Sequence, residues 1–545
     1  MHQGRSFSSS CSVRGKRLCA AAALLVGTSS LGAKQAEPTP AQVALHVLQQ
    51  DIRVAELLRS LQESAPHGLL VVRNVQTVDA AAETVTPGQS VMVKNDVISW
   101  VGDVAKEPQV SGAMVIDGGG RYLAPGLVDM HVHSSSAGGW LLDLANGVTA
   151  VRDMGGFPWL LRFRESVSAR RILAPALYVA GTIINAEPLG GYAVVPRNVL
   201  DARRIVRQQV ACGYDFIKVH NILSQPMLDA IADEASKFGM DLVGHVPHGT
   251  SVRHAVQNGM RTMEHLKGFL NDETLKLGET DYAAAVDGPE VWNTPTLYGG
   301  RGNIRGDEAR ALLESAQARY VPLRKRVRWS RLADGPEDQL VRTRREAAGL
   351  MRQIIPRLLS VRAKFLAGTD ADGYPFQVMG FALVDELQLL HEAGLSPSAA
   401  MRAATIEPAR AMRVTDEFGA IHRGLRADLV LLDANPLEKP SAFRSNRGVM
   451  AHGYWLDRKR LDDALDKLAT TYAEPDESVQ VSRRSSSKTY SSAKAQVDAG
   501  FVFSAMELEV LGAALRKAGL ADVADRFDAL ADEPKSGPCA QFRLR

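Results

Sequence analysis

The stretch that most constrains the fold is an apolar run, Leu127–His133, which ends in two histidines separated by one residue. It follows a Pro125-Gly126 turn, which is typical of the start of a buried strand. Side chains alternate between the two faces of a strand, so His131 and His133 would share a face, about 7 Å apart along the chain. That spacing allows two imidazoles to bind one metal ion while Val132 packs on the opposite face. The run therefore predicts a buried strand that ends in two metal ligands.

After this run, strand-like and helix-like segments alternate along the chain, a pattern typical of parallel βα units. The strand-like segments are Leu127–His133, Val148–Asp153, Ala176–Gly181, Phe216–His220, Leu242–His245, Arg261–His265, Val291–Leu297 and Lys364–Asp370. Helix-like segments such as Gln225–Phe238 and Val252–Asn258 fit between them. Because a TIM barrel has eight strands, we predict an α/β fold with a (β/α)8 barrel over residues 126–404.

Short β-rich runs separated by turn residues lie on both sides of the predicted barrel. They are Leu69–Val72, Val91–Val93, Val97–Val101 and Met114–Asp117 before it, and Phe418–Ile421, Leu429–Leu432 and Gly448–Trp455 after it. A small open sheet needs partners to bury its apolar face. We therefore expect residues 67–125 and 405–460 to form one small β-sandwich domain built from both flanks.

Helical extensions are predicted at both ends. Apolar spacing from Pro40 to Ser64 indicates a helical extension over residues 37–66, and a closing helix is expected over residues 461–473. Residues 474–500 are polar and serine-rich, which favours a linker. Residues 501–545 have apolar side chains at helical spacing and are expected to form a helical tail.

The first 36 residues have the layout of a secretory signal peptide. Basic residues, among them Arg14 and Arg17, precede an apolar stretch from Leu18 to Val26, and small residues then continue to Ala36. We therefore expect cleavage near residues 32–36 and a periplasmic or secreted protein. No later apolar stretch is long enough to cross a bilayer, so no membrane span is expected after cleavage.

Cysteine content and charge exclude other classes. Cys11 and Cys19 fall in the leader, and the mature chain retains Cys212 and Cys539, far apart in sequence. We expect no disulfide framework, with Cys212 as a small buried apolar residue. A net charge of +3 gives no reason to expect nucleic acid as a partner, which leaves a small-molecule substrate, with self-assembly into a homo-oligomer left open.

The connection from Leu297 to Lys364 is too long for a simple βα crossover. It contains two arginine-rich helical stretches, around Arg310–Leu332 and Gln339–Val361. One interpretation is a solvated helix pair. The other is a lid at the barrel mouth that attracts an anionic substrate, because the connection leaves the C-terminal side of a strand, where catalytic loops lie.

Further candidate ligands occur where other predicted strands finish. Lys218 lies late in its strand, His245 and His265 end the next two, and Asp370 closes the last. In a barrel these ends meet on one face. Together with the two histidines of the first strand, they predict a metal site assembled from strand ends.

These residues resemble the amidohydrolase superfamily, in the branch with a two-metal centre similar to imidazolonepropionase-like and prolidase-like hydrolases. The resemblance covers about Leu69 to Leu468. It implies that His131, His133 and Asp370 bind the more buried of two divalent metal ions, most simply zinc, and that His245 and His265 bind the other. It also implies that Lys218 joins the two ions as a carbamate derived from CO2.

The implied reaction is hydrolysis of an amide in an acylated amino acid, a dipeptide or a cyclic amide by a hydroxide bridging the metals, with Asp370 as the proton carrier. His220, His248 and Tyr374 are candidate substrate-binding residues. Val219-His220-Asn221-Ile222 replaces the Ser-Gly-Gly loop of prolidase-like enzymes. A lactone or phosphoester hydrolase, a single-metal deaminase and a non-catalytic scaffold are the alternatives.

Overall fold

The structure is a computed structural model, which describes residues 38–133, 136–189, 192–271, 276–277, 282–286, 290–499, 501–503, 505–530 and 539. The predicted signal peptide lies outside the described residues. The chain divides into residues 1–39 and a compact unit Pro40–Arg545, to which every element below belongs. None of the described helices is long and apolar enough to cross a membrane.

Helix α1 (Pro40–Ser64) has the bounds that its apolar spacing predicts. Its buried face includes Leu45, Leu48 and Leu58, and its polar residues are used as well. The Gln50 amide lies 3.0 Å from the His46 ring and donates at 3.0 Å to the Thr471 carbonyl. The N-terminal extension is therefore packed against the C-terminal part of the chain.

The first flank forms strands at the predicted places, most of them longer than expected. They are β1 (Leu69–Asp79), β2 (Thr84–Lys94), β3 (Val97–Asp103), β4 (Met114–Asp117) and β5 (Tyr122–Pro125). Antiparallel pairing joins β1 to β2 and β2 to β3, while β4 and β5 lie parallel to β1. The flank is thus a mixed sheet that leads directly into the Pro-Gly turn.

All eight predicted barrel strands are present, most of them ending earlier than predicted. The strands of this region are β6 (Leu127–Val132), β7 (Val148–Asp153), β8 (Ala176–Val179), β9 (Ile183–Ile184), β10 (Ala193–Val194), β11 (Phe216–Val219), β12 (Asp241–Gly244), β13 (Met260–Glu264), β14 (Leu270–Asn271), β15 (Lys276–Leu277), β16 (Trp292–Thr294) and β17 (Lys364–Phe365). Both β6 and β7 are buried along their whole length, as expected for parallel strands covered on both faces.

These strands form two parallel sheets, β6-β7-β8 and β10-β9-β11-β12-β13-β16-β17, beside a small β14-β15 pair. Backbone hydrogen bonds connect the sheet edges. Gly181 N–H donates to the Phe216 carbonyl at 2.7 Å, and Met130 N–H donates to the Ala367 carbonyl at 2.9 Å. Parallel bridges at Ala180–Phe216 and Val132–Ala371 lie beside these bonds. The C-terminal ends of the parallel strands therefore share one face of the molecule.

Helices alternate with the strands as predicted. They are α2 (Ala137–Ala145), α3 (Pro158–Ser168), α4 (Val199–Cys212), α5 (Gln225–Lys237), α6 (Val252–Gln257), α7 (Gly306–Glu314), α8 (Leu323–Asp334), α9 (Gln339–Ser360), α10 (Phe381–Glu392), α11 (Pro397–Ala403) and α12 (Ile406–Ala411). Many start at a polar cap. Asn198 and Asp338, for example, accept a backbone N–H from the first turn of α4 and of α9.

The insertion between β16 and β17 contains α7, α8 and α9. The first predicted arginine-rich stretch, Arg310–Leu332, is divided into two helices. Pro322 lies at the N-terminal cap of α8, where a proline is tolerated, whereas inside a helix it would remove a hydrogen bond. The second stretch is one helix of 22 residues, as expected.

The second flank returns to the first sheet. Strands β18 (Leu429–Leu432), β19 (Asn446–Ala451) and β20 (Tyr454–Asp457) extend it in the order β20-β19-β18-β5-β1-β2-β3, with β4 paired to β1. Side chains from both flanks, among them Leu70 and Met450, share one apolar core. The predicted strand Phe418–Ile421 is wrong, because Gly419 has a φ of 103° and Phe418 packs in a core with side chains of the parallel strands, among them Val128 and Trp292.

The C-terminal part is more ordered than predicted. Helix α13 (Arg458–Tyr472) is the expected closing helix, and α15 (Ala505–Lys517) and α16 (Ala521–Leu530) form the expected helical tail. The expected linker at 474–500 instead contains α14 (Arg483–Asp498). Its small side chains allow close packing on α1, where Gln49 donates to the Thr489 hydroxyl at 2.9 Å.

A disulfide joins Cys212, at the end of α4, to Cys539, 327 positions later. The two Cα atoms lie 5.5 Å apart. The expectation of no disulfide, with Cys212 as a buried apolar residue, is therefore wrong. Sequence separation hid the pairing, because only the folded chain brings the tail to α4.

Candidate metal centre

The predicted ligands His131 and His133 both lie close to the predicted ligand Asp370. His131 is fully buried and is the next-to-last residue of β6, and His133 directly follows the strand. Their Nε2 atoms lie 3.5 Å and 3.2 Å from the same carboxylate oxygen of Asp370. Residues that are remote in sequence thus meet at one point, as their positions at strand ends predict.

Two of the candidates lie where the chain leaves the extended conformation. His265 and Asp370 have φ values of 58° and 59°, in the left-handed region that costs an L-residue about 1–2 kcal/mol. The His265 ring lies 4.7 Å from that of His131 and 4.9 Å from that of His245. Ligand atoms of His131, His265 and Asp370 all lie within 4.8 Å of one another. The backbone strain therefore accompanies a compact cluster of metal-ligand side chains.

One buried atom in this cluster indicates that a cation fits there. Nδ1 of His131 lies 2.9 Å from a carboxylate oxygen of Glu264, so this nitrogen carries the ring proton. Nε2 is buried, and among the described residues it has no hydrogen-bond partner. A buried acceptor without a donor is costly, whereas a divalent ion would use its lone pair.

Hydrogen bonds orient His245 and His265 in the same way. Nδ1 of His245 lies 2.7 Å from the side-chain oxygen of Asn221. Nδ1 of His265 lies 2.6 Å from the Thr296 hydroxyl, which itself donates to the Pro295 carbonyl at 2.7 Å and so accepts from the ring. Each ring is therefore left with Nε2 as its ligand atom, the arrangement typical of metal-binding histidines.

Burial also keeps these rings neutral, which is the form that binds metal. It lowers the pKa of His131 to about 4 and that of His265 to about 3, and it holds the pKa of His245 well below its usual range. For Asp370, burial works to raise the pKa, but the neighbouring His265 and His133 outweigh it and hold the value far below normal. At neutral pH the cluster therefore consists of neutral imidazoles and one carboxylate.

Lys218 lies on β11, and its side chain is almost completely buried. Its ammonium group donates to the Met154 carbonyl at 2.7 Å. Burial lowers the pKa of this lysine to about 8, while the nearby Asp370 and Glu264 work in the opposite direction. A lysine with this pKa is partly neutral near physiological pH, and a neutral amine can react with CO2.

Sequence reasoning missed the residues that hold the ligands in place. Glu264 accepts hydrogen bonds from Arg152 at 2.7 Å and from the Thr262 hydroxyl at 2.6 Å, besides its contact with His131. By strand alternation, Glu264 and His265 should face opposite sides. Both reach the cluster because the chain turns at His265, and such a turn is not visible in the sequence pattern.

A cavity of about 680 Å³ opens beside the cluster. His245, His265 and Asp370 line it, as do the predicted substrate-binding residues His220 and Tyr374. The His220 ring lies 4.0 Å from that of His245.

The third predicted substrate residue, His248, is not among the described residues that line this cavity. Its backbone N–H instead donates to the Asn221 carbonyl at 2.8 Å.

The inserted helix α9 forms the opposite wall of this cavity. The wall consists of Gln339, Thr343, Arg344, Ala347, Ala348 and Met351. The helix lies close to the loop after β16, since a Cβ added at Gly300 would lie 3.0 Å from the Ala348 Cβ. Of the two interpretations of the insertion, the structure agrees with a cover over the cavity, and its attraction for an anionic substrate stays a prediction.

Known proteins resemble this chain over much of its length. A family model described as "Amidohydrolase family" matches residues 122–456. An imidazolonepropionase from Micrococcus luteus is 24% identical over 71% of this chain and 98% of its own. An adenine deaminase from Rubrobacter xylanophilus is 24% identical over 70% of this chain, which spans only 57% of that protein. The solved structure of a bottromycin amidohydrolase matches with a TM-score of 0.63 and 25% identity, covering 78% of this chain and 94% of its own.

Proposed function

The chain belongs to the amidohydrolase family, and from its site we propose that it hydrolyses the C–N bond of a small amide in a metal-dependent reaction. Acylated amino acids, dipeptides and cyclic amides are its candidate substrate classes. One observation supports this most directly. Four histidines, one aspartate and a buried lysine from different parts of the chain lie together beside one cavity.

We assign the ligands as follows. His131, His133 and Asp370 would hold one divalent ion, His245 and His265 a second, and a carbamate on Lys218 would contact both. The neutral imidazoles favour zinc, although manganese, cobalt and iron also accept nitrogen and oxygen ligands. The lowered pKa of Lys218 supports the carbamate, because only the neutral amine adds CO2.

The side chains have distinct roles in the proposed reaction. Divalent ions bound here would lower the pKa of a water molecule and polarise the scissile carbonyl. Asp370 is ionised at neutral pH and faces the histidines, so it can accept the water proton and return it to the leaving amine. Glu264 keeps the Nδ1 proton on His131, which leaves Nε2 of that ring as the ligand atom.

The proposal also covers how the parallel sheets close and how the flanking sheet folds. We propose that the two parallel sheets close into a (β/α)8 barrel, supported by the backbone bonds Gly181–Phe216 and Met130–Ala367 between their edges. We also propose that the flanking sheet folds over its shared core as a small β-sandwich.

Export is a separate proposal. The disulfide Cys212–Cys539 supports an oxidising compartment, because such bonds rarely persist in a reducing cytoplasm. We expect mature protein from the native host to begin between Ala33 and Glu37. An intact Met1 on that protein would contradict export.

The reaction is tested by incubating metal-loaded protein with N-acyl amino acids, dipeptides, lactones and phosphoesters, and by quantifying the products by mass spectrometry. Release of a free amine from an amide is the expected result. Turnover of only lactones or phosphoesters would favour the alternative hydrolase, and two bound ions without turnover of any class would favour a scaffold. A single bound ion with release of ammonia would favour a deaminase, the activity named for one relative.

A further inference from the structure

Helix α9 presents one face to the cavity. Thr343, Ala347 and Met351 are four residues apart, and Arg344 and Ala348 follow the same spacing, so the five share one helical face. The two alanines leave space, whereas larger residues would fill it. Arg344 and Thr343 provide polar groups near the start of the helix, and Met351 provides an apolar surface farther along.

The cavity is unbalanced in charge. Among the described residues that line it, Lys267 and Arg344 are cationic, and Asp370 is the one acid. Asp370 already faces three histidines, within 3.2 to 4.0 Å of their nitrogens. Arg344 therefore places positive charge at the cavity wall, and an anion would be favoured there.

Arg344 has an aromatic neighbour. Its guanidinium lies 5.5 Å from the centre of the Tyr374 ring, and both residues line the cavity. A guanidinium stacked on an aromatic ring keeps the N–H groups at its edge available for hydrogen bonds. Tyr374 packs closely against Gly302, since a Cβ added at Gly302 would lie 2.4 Å from the Tyr374 Cβ.

We propose that the substrate is an amide bearing a free carboxylate, and that Arg344 on the inserted helix binds this carboxylate. The proposal rests on the proposed function and names its substrate class. The planar guanidinium matches the geometry of a carboxylate through two parallel hydrogen bonds. Met351 and Ala347 then face the apolar body of the substrate, and the amide bond lies toward the histidines. A cavity of about 680 Å³ holds an N-acyl amino acid of moderate size.

The test uses a matched pair of substrates, an N-acyl amino acid and the same compound with its carboxylate converted to a carboxamide. Release of the common acyl product is followed with metal-loaded wild type, Arg344→Gln and Arg342→Gln. Arg342 is the control, because residues two apart on a helix point about 200° apart, and Arg342 is exposed and does not line the cavity.

For the acid, we expect Arg344→Gln to raise KM at least about 10-fold while kcat stays within about 2-fold, since a charge-assisted pair is lost but the reacting atoms are untouched. For the carboxamide, the same substitution should leave KM unchanged. Arg342→Gln should behave as wild type with both compounds. Arg344→Lys keeps the charge without the planar geometry and should give an intermediate KM.

An equal effect of Arg344→Gln on both compounds, or no effect on either, would overturn the inference while leaving the hydrolase proposal intact. If wild type hydrolyses neither compound, the amidase proposal fails, and calorimetry with the same pair decides the inference. Tighter binding of the acid that is lost in Arg344→Gln would support a carboxylate site. Equal binding of the pair, or binding of neither, would refute it.

Discussion

The two walls of the cavity differ in origin and in construction. The strand wall consists of His245, His265 and Asp370, which line the cavity, together with His131, His133 and Lys218, which lie close to Asp370. The helix wall consists of Gln339, Thr343, Arg344, Ala347, Ala348 and Met351 on α9. Most strand-wall residues are buried, and three of its histidines are oriented by a hydrogen bond to a neighbour. On the helix wall, Arg344 is exposed and contacts a ring.

This difference assigns different tasks to the walls. Buried, interconnected groups hold a fixed geometry, which the chemical step requires. An exposed side chain on an inserted helix, such as Arg344, can change without disturbing that geometry, which suits substrate selection. Substitutions on the strand wall should therefore lower kcat for every substrate, and substitutions on the helix wall should change KM for particular substrates.

The strongest way to test the strand wall is Asp370→Asn. Asparagine keeps the size of the side chain and one ligating oxygen, so the fold and most of the metal should be retained. The proton acceptor is lost, and such roles are worth about 10²–10⁴ in rate. We expect kcat to fall at least about 10²-fold on any good substrate, measured by steady-state kinetics.

Because the pKa of Asp370 is held far below its usual range, the acid limb that it would give in the pH–rate profile lies at low pH, and this limb should shift or disappear in the residual activity of Asp370→Asn. A variant with near-normal kcat and an unchanged acid limb would show that another group carries the proton. His220 is the first such group to test, because its ring lies against His245 in the cavity.

Glu264→Gln tests whether the strand wall depends on the residues behind it. Glutamine can still accept from Arg152, but it removes the negative charge beside His131. Partners of this kind are typically worth about 10–100-fold in metal affinity. We expect a loss of this size in a chelator competition titration, with activity recovered in excess metal. Glu290→Gln, at an exposed partner of Arg261, is the control and should leave metal affinity unchanged.

Cys212→Ser tests a feature that belongs to neither wall. The disulfide connects α4 to the tail, and bonds of this type typically stabilise a protein by about 2–4 kcal/mol. We expect a lower Tm than wild type in thermal unfolding and an unchanged kcat/KM. A reductant should lower the Tm of wild type to that of the variant. Wild-type stability that does not respond to reductant would contradict the bond.

The smallest predicted effect concerns Glu386, which binds the loop that follows β16. Its carboxylate accepts the backbone N–H groups of Leu297 at 3.1 Å and Tyr298 at 2.6 Å, just after β16. Burial raises the pKa of Glu386 from 4.5 to about 8. Between these two pH values the folded state therefore holds a proton that the unfolded chain has released. Stability from this group is therefore present below pH 4.5 and is lost as the pH rises toward 8.

Glu386→Gln cannot ionise and keeps an acceptor for the two N–H groups. We expect its Tm to fall less than that of wild type between pH 5 and about 8, whereas Glu392→Gln, at the exposed end of the same helix, should follow wild type. A uniform loss of Tm with an unchanged slope would mean that Glu386 is ionised in the fold.

Much of the strand wall was predictable from the sequence. Alternation in an extended chain places His131 and His133 on one face, and apolar runs mark where the strands end. The turn at His265 was not predictable, because nothing in Met263-Glu264-His265-Leu266 indicates a left-handed residue. Glu264 was therefore overlooked although it stands next to a predicted ligand.

The helix wall and the tail show the opposite situation. The insertion was expected to be helical, but which face of α9 meets the cavity depends on packing with the loop after β16. The polar composition of the serine-rich segment that contains α14 predicts a linker. Its packing on α1 and the Cys212–Cys539 bond are contacts of high sequence separation, which local patterns do not encode.

The central claim, a two-metal centre connected by Lys218, is tested most directly by counting metal ions in wild type and Lys218→Ala by inductively coupled plasma mass spectrometry. We predict about two ions per chain in wild type and about one in the variant, with most activity lost and partly restored by short carboxylates that replace the carbamate. Full metal content together with the full rate in Lys218→Ala would contradict this account.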